Sequence, residues 1–175
     1  MITMIMGPMY SGKTTTMLGR LERACIAGKR VLLFRHTLDT RGYLGHNGCK
    51  AFKGLDTVMD NVLCSLDVSN YDIIGVDEGQ FFSDLKKFCI NNINSKDIII
   101  SCLSASSECE MFAPIIESFP YCQNIIKLEA VCTQCGRDAN FTYFCGETDS
   151  KTKVLVGGIE KYTALCSDCY FKNKS

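Results

Sequence analysis

The sequence has no excess of charge of either sign: 19 lysines and arginines stand against 19 aspartates and glutamates in 175 residues. A chain that neutralises a nucleic-acid backbone commonly carries a basic surplus, so this balance speaks against nucleic acid as a partner. Long hydrophobic runs are missing as well. No stretch approaches the roughly 20 apolar residues that a membrane-crossing helix needs, so no membrane partner is expected. The first residues lack a basic segment and a small-residue cleavage site, so no secretory signal is expected either. There is no internal repeat and no low-complexity segment. Histidine is scarce: His36 and His46 have no partner at metal-ligand spacing and read as loop surface. A chain of this length buries a full core and suits one main domain with an appendage.

Glycine punctuates the start of the chain. The apolar run Ile2, Met4, Ile5, Met6 leads into Gly7-Pro8-Met9-Tyr10-Ser11-Gly12-Lys13-Thr14, which fills every fixed position of GxxxxGK[ST]. Met17, Leu18, Leu21, Ala24 and Cys25 follow at helical spacing. The loop therefore sits between a strand and a helix, the context in which this pattern cradles phosphate. Its glycines let backbone N–H groups turn toward phosphate oxygens, and the helix N-terminus adds its positive end. Lys13 would reach the β- and γ-phosphates of ATP, and the Thr14 hydroxyl would ligate Mg²⁺.

Further along, Gly28-Lys29-Arg30 stops the first helix, and Val31 to Phe34 suits a strand covered on both faces. Residues 36–54, with Gly42, Gly45, Gly48 and Gly54, read as a long mobile loop. The spacing of Val58, Met59, Val62, Leu63 and Leu66 predicts a helix. Ile73 to Val76 is a buried strand, and Phe81, Leu85, Phe88 and Cys89 share one face of a helix ending near Asn91-Asn92. Ile98 to Leu103 is another strand. Phe112, Ile115, Ile116 and Phe119 form a short helix before Pro120, and Ile125, Ile126 and Leu128 are the last core strand. Strands alternating with helices predict an α/β fold with a mainly parallel sheet and helices on both faces. This nucleotide-binding domain spans residues 1–128, and residues 129–175 form a small zinc-binding domain.

Asp77-Glu78 closes the strand that ends at Val76. Ligands of such sheets lie beyond the carboxyl ends of the strands, which puts both acids beside the phosphate loop. Asp77 is placed to hold the Mg²⁺ shell. Glu78 is left to take a proton: from water, making an ATPase, or from a bound hydroxyl, making a kinase. Cys132-Thr133-Gln134-Cys135 and Cys166-Ser167-Asp168-Cys169 are two CxxC knuckles, and four thiolates in two close pairs match a closed, tetrahedral, structural Zn²⁺ site. The metal would fix the ends of residues 136–165, a loop able to fold over the sheet edge as a substrate cover. A zinc ribbon also suits nucleic acid, but residues 129–170 are not clearly basic. Twelve cysteines without an export signal are expected to be reduced. The eight others (Cys25, Cys49, Cys64, Cys89, Cys102, Cys109, Cys122 and Cys145) read as small apolar fillers.

Over nearly its whole length the chain resembles the type II thymidine kinase family, the cellular and poxviral type. The resemblance rests on Gly7 to Thr14, Asp39-Thr40-Arg41, Asp77-Glu78-Gly79-Gln80-Phe81-Phe82, Val131-Cys132 with Cys135, Gly157-Gly158, Tyr162, and Cys166 to Phe171. It implies a cytoplasmic homotetramer that moves the γ-phosphate of ATP, with Mg²⁺, to the 5′-hydroxyl of thymidine or deoxyuridine. It also implies a structural zinc and feedback inhibition by thymidine triphosphate. Glu78 becomes the base for the 5′-hydroxyl. The whole loop from Gly7 to Thr14 (Pro8, Met9, Tyr10, Ser11, Gly12 and Lys13 between them) handles nucleotide, with Asp39, Thr40, Arg41, Asp77 and Gln80. Met9, Phe81, Leu103 and Thr142 line the base pocket. Lys153, Val154, Leu155, Val156 and Gly157 meet the thymine edge through main-chain groups, and Tyr162 contacts sugar or base. One stretch departs: where the family has Leu-Asp-Gly-Thr-Phe, this chain has Leu103-Ser104-Ala105-Ser106-Ser107, followed by Glu108 and Glu110. The family's phenylalanine packs on the base, and Ser107 stands in its place. The alternative to an active kinase is therefore a catalytically weakened homologue that still binds nucleotide.

Overall fold

A computed structural model describes residues 1–39, 52–146 and 161–174. Six strands form one sheet: β1 (Ile2–Gly7), β2 (Val31–Arg35), β3 (Leu55–Met59), β4 (Ile73–Val76), β5 (Asp97–Leu103) and β6 (Asn124–Lys127). Their order is β3-β2-β4-β5-β1-β6, and every pairing is parallel. Parallel strands need crossovers, and the crossovers put helices over both faces. Along β1 the pleat sends Met4 and Met6 to one face and Ile5 to the other. The Ile5 face, with Leu33 and Ile99, is covered by Met17, Leu18 and Leu21 of α1 (Lys13–Ile26). The opposite face carries Phe34, Val76 and Ile100. It packs under Leu85 and Phe88 of α2 (Leu85–Asn92) and Ile115 of α3 (Ala113–Ser118).

After β6 the chain builds a second, smaller layer. β7 (Ala130–Val131) pairs antiparallel with β8 (Asp138–Ala139), and β9 (Phe141–Phe144) pairs antiparallel with β10 (Tyr162–Leu165). α4 (Ser167–Lys174) follows. Ala130, Cys132, Ala139, Ala164, Leu165, Cys166 and Tyr170 form its separate core.

Five expectations are corrected. Val58 and Met59 belong to an edge strand, β3, and only Leu63–Ser65 forms a single 3-10 turn. Strand pairing with β2 wins over a helical spacing that only Leu63 uses for burial. Phe81 lies in a 3-10 turn (Gly79–Phe81) ahead of α2, and its neighbour Phe82, fully buried, is the core ring. His36 is buried at 6 % exposure at the end of β2, not on a loop surface. Finally, β6 is a half-covered edge strand on which Ile125 is exposed, and among the filler cysteines Cys64, Cys109 and Cys145 are exposed. His46 and Cys49 lie outside the described residues.

Candidate active site

β1 hands the chain directly to the phosphate loop. A Cβ on Gly7 would stand 2.7 Å from the Leu128 carbonyl oxygen and 2.5 Å from Ser11 Oγ, so only glycine fits between loop and neighbouring chain. Gly12 takes the left-handed conformation at φ 78 and turns the chain into α1. Within the loop, Ser11 Oγ and Lys13 Nζ both donate to the Pro8 carbonyl, at 2.9 and 2.7 Å. The Lys13 ammonium is thus buried over the turn, beside the N-terminus of a fourteen-residue helix. A cation, a helix N-terminus and a turn too tight for a side chain together fit a phosphate group.

At the first turn of α1, Thr14 Oγ1 donates to Asp77 Oδ1 at 2.9 Å, and the Ser101 hydroxyl of β5 donates to the same oxygen. Asp77 is 1 % exposed. A buried carboxylate flanked by hydroxyls at the phosphate loop is the hard, oxygen-only donor set that suits Mg²⁺. Ser101 was not foreseen. Its signal is a lone hydroxyl in the apolar run Ile98-Ile99-Ile100-Ser101-Cys102, because a buried polar group needs a partner.

Glu78 follows Asp77 at φ 53, ψ 49, a left-handed backbone that costs a non-glycine residue about 1–2 kcal/mol. Such strain gathers at functional sites. The turn aims Glu78 away from the strand direction and leaves it half-buried. Gln80 Nε2 donates to Glu78 Oε2 at 2.7 Å, and Gln80 Oε1 accepts from the Leu103 backbone N–H at 3.1 Å. Gln80 therefore ties the carboxylate to the end of β5.

Nearby, Arg35 Nη2 and Asp39 Oδ2 form a buried ion pair at 2.8 Å, closing the end of β2. His36 packs edge-on against Phe82, ring centres 4.9 Å apart, and tilted against Phe81 at 5.6 Å. Burial pushes its pKa below the ordinary value, and Asp60 partly opposes that. Its Nδ1 accepts from the Leu38 N–H at 3.1 Å, which suits the neutral ring.

The second layer is joined to the phosphate loop at two points. The Met9 N–H donates to Thr142 Oγ1 of β9 at 3.0 Å, and the Tyr10 hydroxyl donates to the Tyr162 carbonyl of β10 at 3.1 Å. Met9, Thr142 and Tyr162 therefore stand on one side of the site, and Glu78, Gln80 and Leu103 are joined at the sheet rim. A cleft of about 370 Å³ opens beside Thr142, between Met6 and the segment from Ser104 to Met111. The Ser107 carbonyl is held by Tyr170, a contact no sequence spacing announced. Thr40, Arg41 and Lys153 to Gly157 lie outside the described residues.

The ligand atoms of Cys132, Cys135, Cys166 and Cys169 all lie within 4.8 Å of one another. Four sulfurs at about 2.3 Å from a tetrahedral Zn²⁺ stand near 3.8 Å apart, on the order of the 3.6 Å between Cys135 Sγ and Cys166 Sγ. The donor set fits a closed zinc site. The first knuckle is the turn between β7 and β8, closed by Gly136 at φ 76, and the second runs from β10 into α4. Arg137 adds a cation to this anionic cluster, donating to Cys135 Sγ and Cys166 Sγ at 3.4 Å each and to Asp168 at 2.8 Å. Metal-bound thiolates are commonly fixed by such outer donors.

Comparison with known proteins agrees with this geometry. The family model described as "Thymidine kinase" matches residues 1–170. The cytosolic thymidine kinase of Bos taurus is 34 % identical over 180 residues, covering 99 % of this chain and 73 % of its own length. That of Homo sapiens is also 34 % identical, over 99 % of this chain and 74 % of itself. The thymidine kinase of sheeppox virus (strain KS-1) is 35 % identical over 97 % of this chain and 96 % of itself.

Proposed function

The chain belongs to the thymidine kinase family, and on that premise we propose how its residues phosphorylate thymidine. ATP enters with its phosphates in the loop from Gly7 to Thr14, against Lys13 and the α1 N-terminus. Thr14 and Asp77 would hold Mg²⁺, which offsets phosphate charge when bound. Thymidine lies with its base among Met9, Phe81, Leu103, Thr142 and Tyr162, under main-chain groups of residues 153–157. Glu78 takes the proton of the 5′-hydroxyl as that oxygen bonds to the γ-phosphorus, and ADP departs with the bridging oxygen. The observation that carries this reading is the joined rim. Asp77 is bonded to Thr14 of the phosphate loop, and the next residue, Glu78, is turned out by a left-handed backbone and held there by Gln80.

Residues 1–128 then handle ATP and residues 129–175 cover the nucleoside. The same reading includes use of deoxyuridine, a cytoplasmic location, a homotetramer, and inhibition by thymidine triphosphate at the joint site. Phosphorylation of labelled thymidine by the wild type and by Glu78→Gln tests the mechanism. The variant should bind ATP and thymidine and lose roughly 10²- to 10⁴-fold in turnover. Turnover near the wild-type value would remove Glu78 from the role of base.

A further inference from the structure

Tyr170 follows the zinc-binding Cys169 directly and is 1 % exposed. Its ring stacks on Phe141 at 4.7 Å and 25° and meets Tyr143 edge-on at 6.0 Å. Packing accounts for the ring but not for the hydroxyl, which leaves the small core and reaches the segment after β5. There it donates to the Ser107 carbonyl at 2.5 Å and accepts from Cys109 Sγ at 3.2 Å. From the same helix Lys174 pairs with Glu108 at 2.5 Å. The segment is also closed on itself. The Ser106 N–H donates to the Glu110 carbonyl at 2.9 Å, and Ser106 Oγ accepts from the Glu108 and Glu110 N–H groups at 3.2 Å each. Cys109 is held left-handed at φ 62. Ser104, Ala105, Ser106, Cys109 and Met111 of this segment line the cleft together with Phe141 and Thr142. Phe141, on which Tyr170 stacks, and Cys109, which its oxygen holds, thus both line one cleft.

We infer that Tyr170 is a positioning residue for the nucleoside site: through its phenolic oxygen it fixes the path of residues 104–111, and so ties nucleoside affinity to the zinc-bound helix. The inference rests on the reading of the nucleoside site given above. A ring at position 107 would support the segment by packing into the site. With serine there, the support comes from behind, through the backbone. Of the phosphate loop, Tyr10 packs on the small core that holds Tyr170, whereas Lys13 and Thr14 are held by the Pro8 carbonyl and by Asp77.

Tyr170→Phe keeps the stacked ring and deletes the contact to Ser107. The KM for thymidine should rise roughly 3- to 10-fold, the factor set by one ordinary hydrogen bond. The kcat should stay within about twofold, with the KM for ATP and one zinc per chain unchanged, because those depend on other contacts. The exposed pair gives a second variant in which folding is not at stake: Lys174→Met should raise the thymidine KM by about twofold, in keeping with a surface ion pair. Amide hydrogen exchange across residues 104–111 should quicken in both variants. A zinc-loaded Tyr170→Phe protein with unchanged thymidine KM, or with both KM values raised in parallel, overturns the inference. So does unchanged exchange across the segment. If the wild type phosphorylates no thymidine, the function above fails, and the exchange result alone still decides whether Tyr170 positions the segment.

Discussion

Glu78 and Gln80 form a unit in which one residue supplies the carboxylate and the other sets its direction. Gln80 has its oxygen on the Leu103 N–H and its amide on Glu78, so replacing it with leucine strands a backbone donor and releases the carboxylate together. Gln80→Leu should lower kcat by about tenfold or more while ATP affinity stays, as steady-state kinetics against each substrate would read; a matching loss of ATP affinity would place Gln80 on the nucleotide instead. At position 107, a restored ring should stack on the base. Base–aromatic stacking contributes about 1–3 kcal/mol, so Ser107→Phe should lower the thymidine KM by roughly fivefold or more. A KM that holds or climbs would mean the pocket is built around serine. His36 supplies a pH dependence. Its folded pKa is lowered, so the unfolded chain binds more protons below about pH 6.5. The stabilisation from keeping it neutral is complete above that pH and drains away as pH falls toward the folded pKa. Urea midpoints between pH 7.5 and 5.5 should fall in the wild type and fall less in His36→Asn. None of this was visible for His36 in the sequence, where a lone histidine after an apolar run carries no sign of the two rings that enclose it.

Among the elements, those that bury a face were legible and so was the edge strand β6, whereas the other edge strand, β3, was not. β1, β2, β4 and β5 read as continuous apolar runs because helices cover both their faces. β3 has no such run: Asp56, Thr57 and Met59 are exposed, and only pairing with β2 makes it a strand. A pattern based on burial cannot find a strand held mainly by backbone hydrogen bonds. The phosphate loop, the acid pair and the cysteine knuckles were legible because their chemistry fixes residue type at fixed spacing. The contacts of Ser101 and Tyr170, and those of Arg137 with Cys166 and Asp168, were not, since each joins residues far apart in the chain. The 3-10 turn before α2 shows the same limit within one element. Spacing put Phe81 on the helix face, whereas the turn sends Phe82 into the core and Phe81 toward His36. Phe82→Ala should therefore cost about 3–5 kcal/mol of stability, whereas Phe81→Ala should cost well under half as much and act on thymidine binding. Denaturant unfolding of the two variants compares them directly, and equal losses would mean both rings serve the core.

At the scale of the whole molecule, two layers meet at the phosphate loop, one built by burial across a sheet and one too small to stand on burial alone. The second layer's core has seven buried residues, three of them alanine and two of them cysteines of the four-sulfur cluster. Elemental analysis should find one zinc per chain, and stripping it with a chelator should unfold residues from Ala130 onward while the six-stranded sheet survives. A thermal scan should then show an early transition that zinc abolishes; a single unshifted transition would deny the metal its structural role. The order of the large sheet has a further consequence, for synthesis. β1 finds its partners in β5 and β6, Ile2 beside Ile98 and Thr3 beside Asn124. A ribosome adds about 5–20 residues per second, so this apolar strand waits on the order of 5–25 seconds for its neighbours to be made. Until they arrive the phosphate loop at its end has no frame, and nucleotide in the cell cannot help the emerging chain to fold. In the nascent protein this strand is thus a hydrophobic segment in need of shelter, and a chaperone that binds such segments has a long opportunity there.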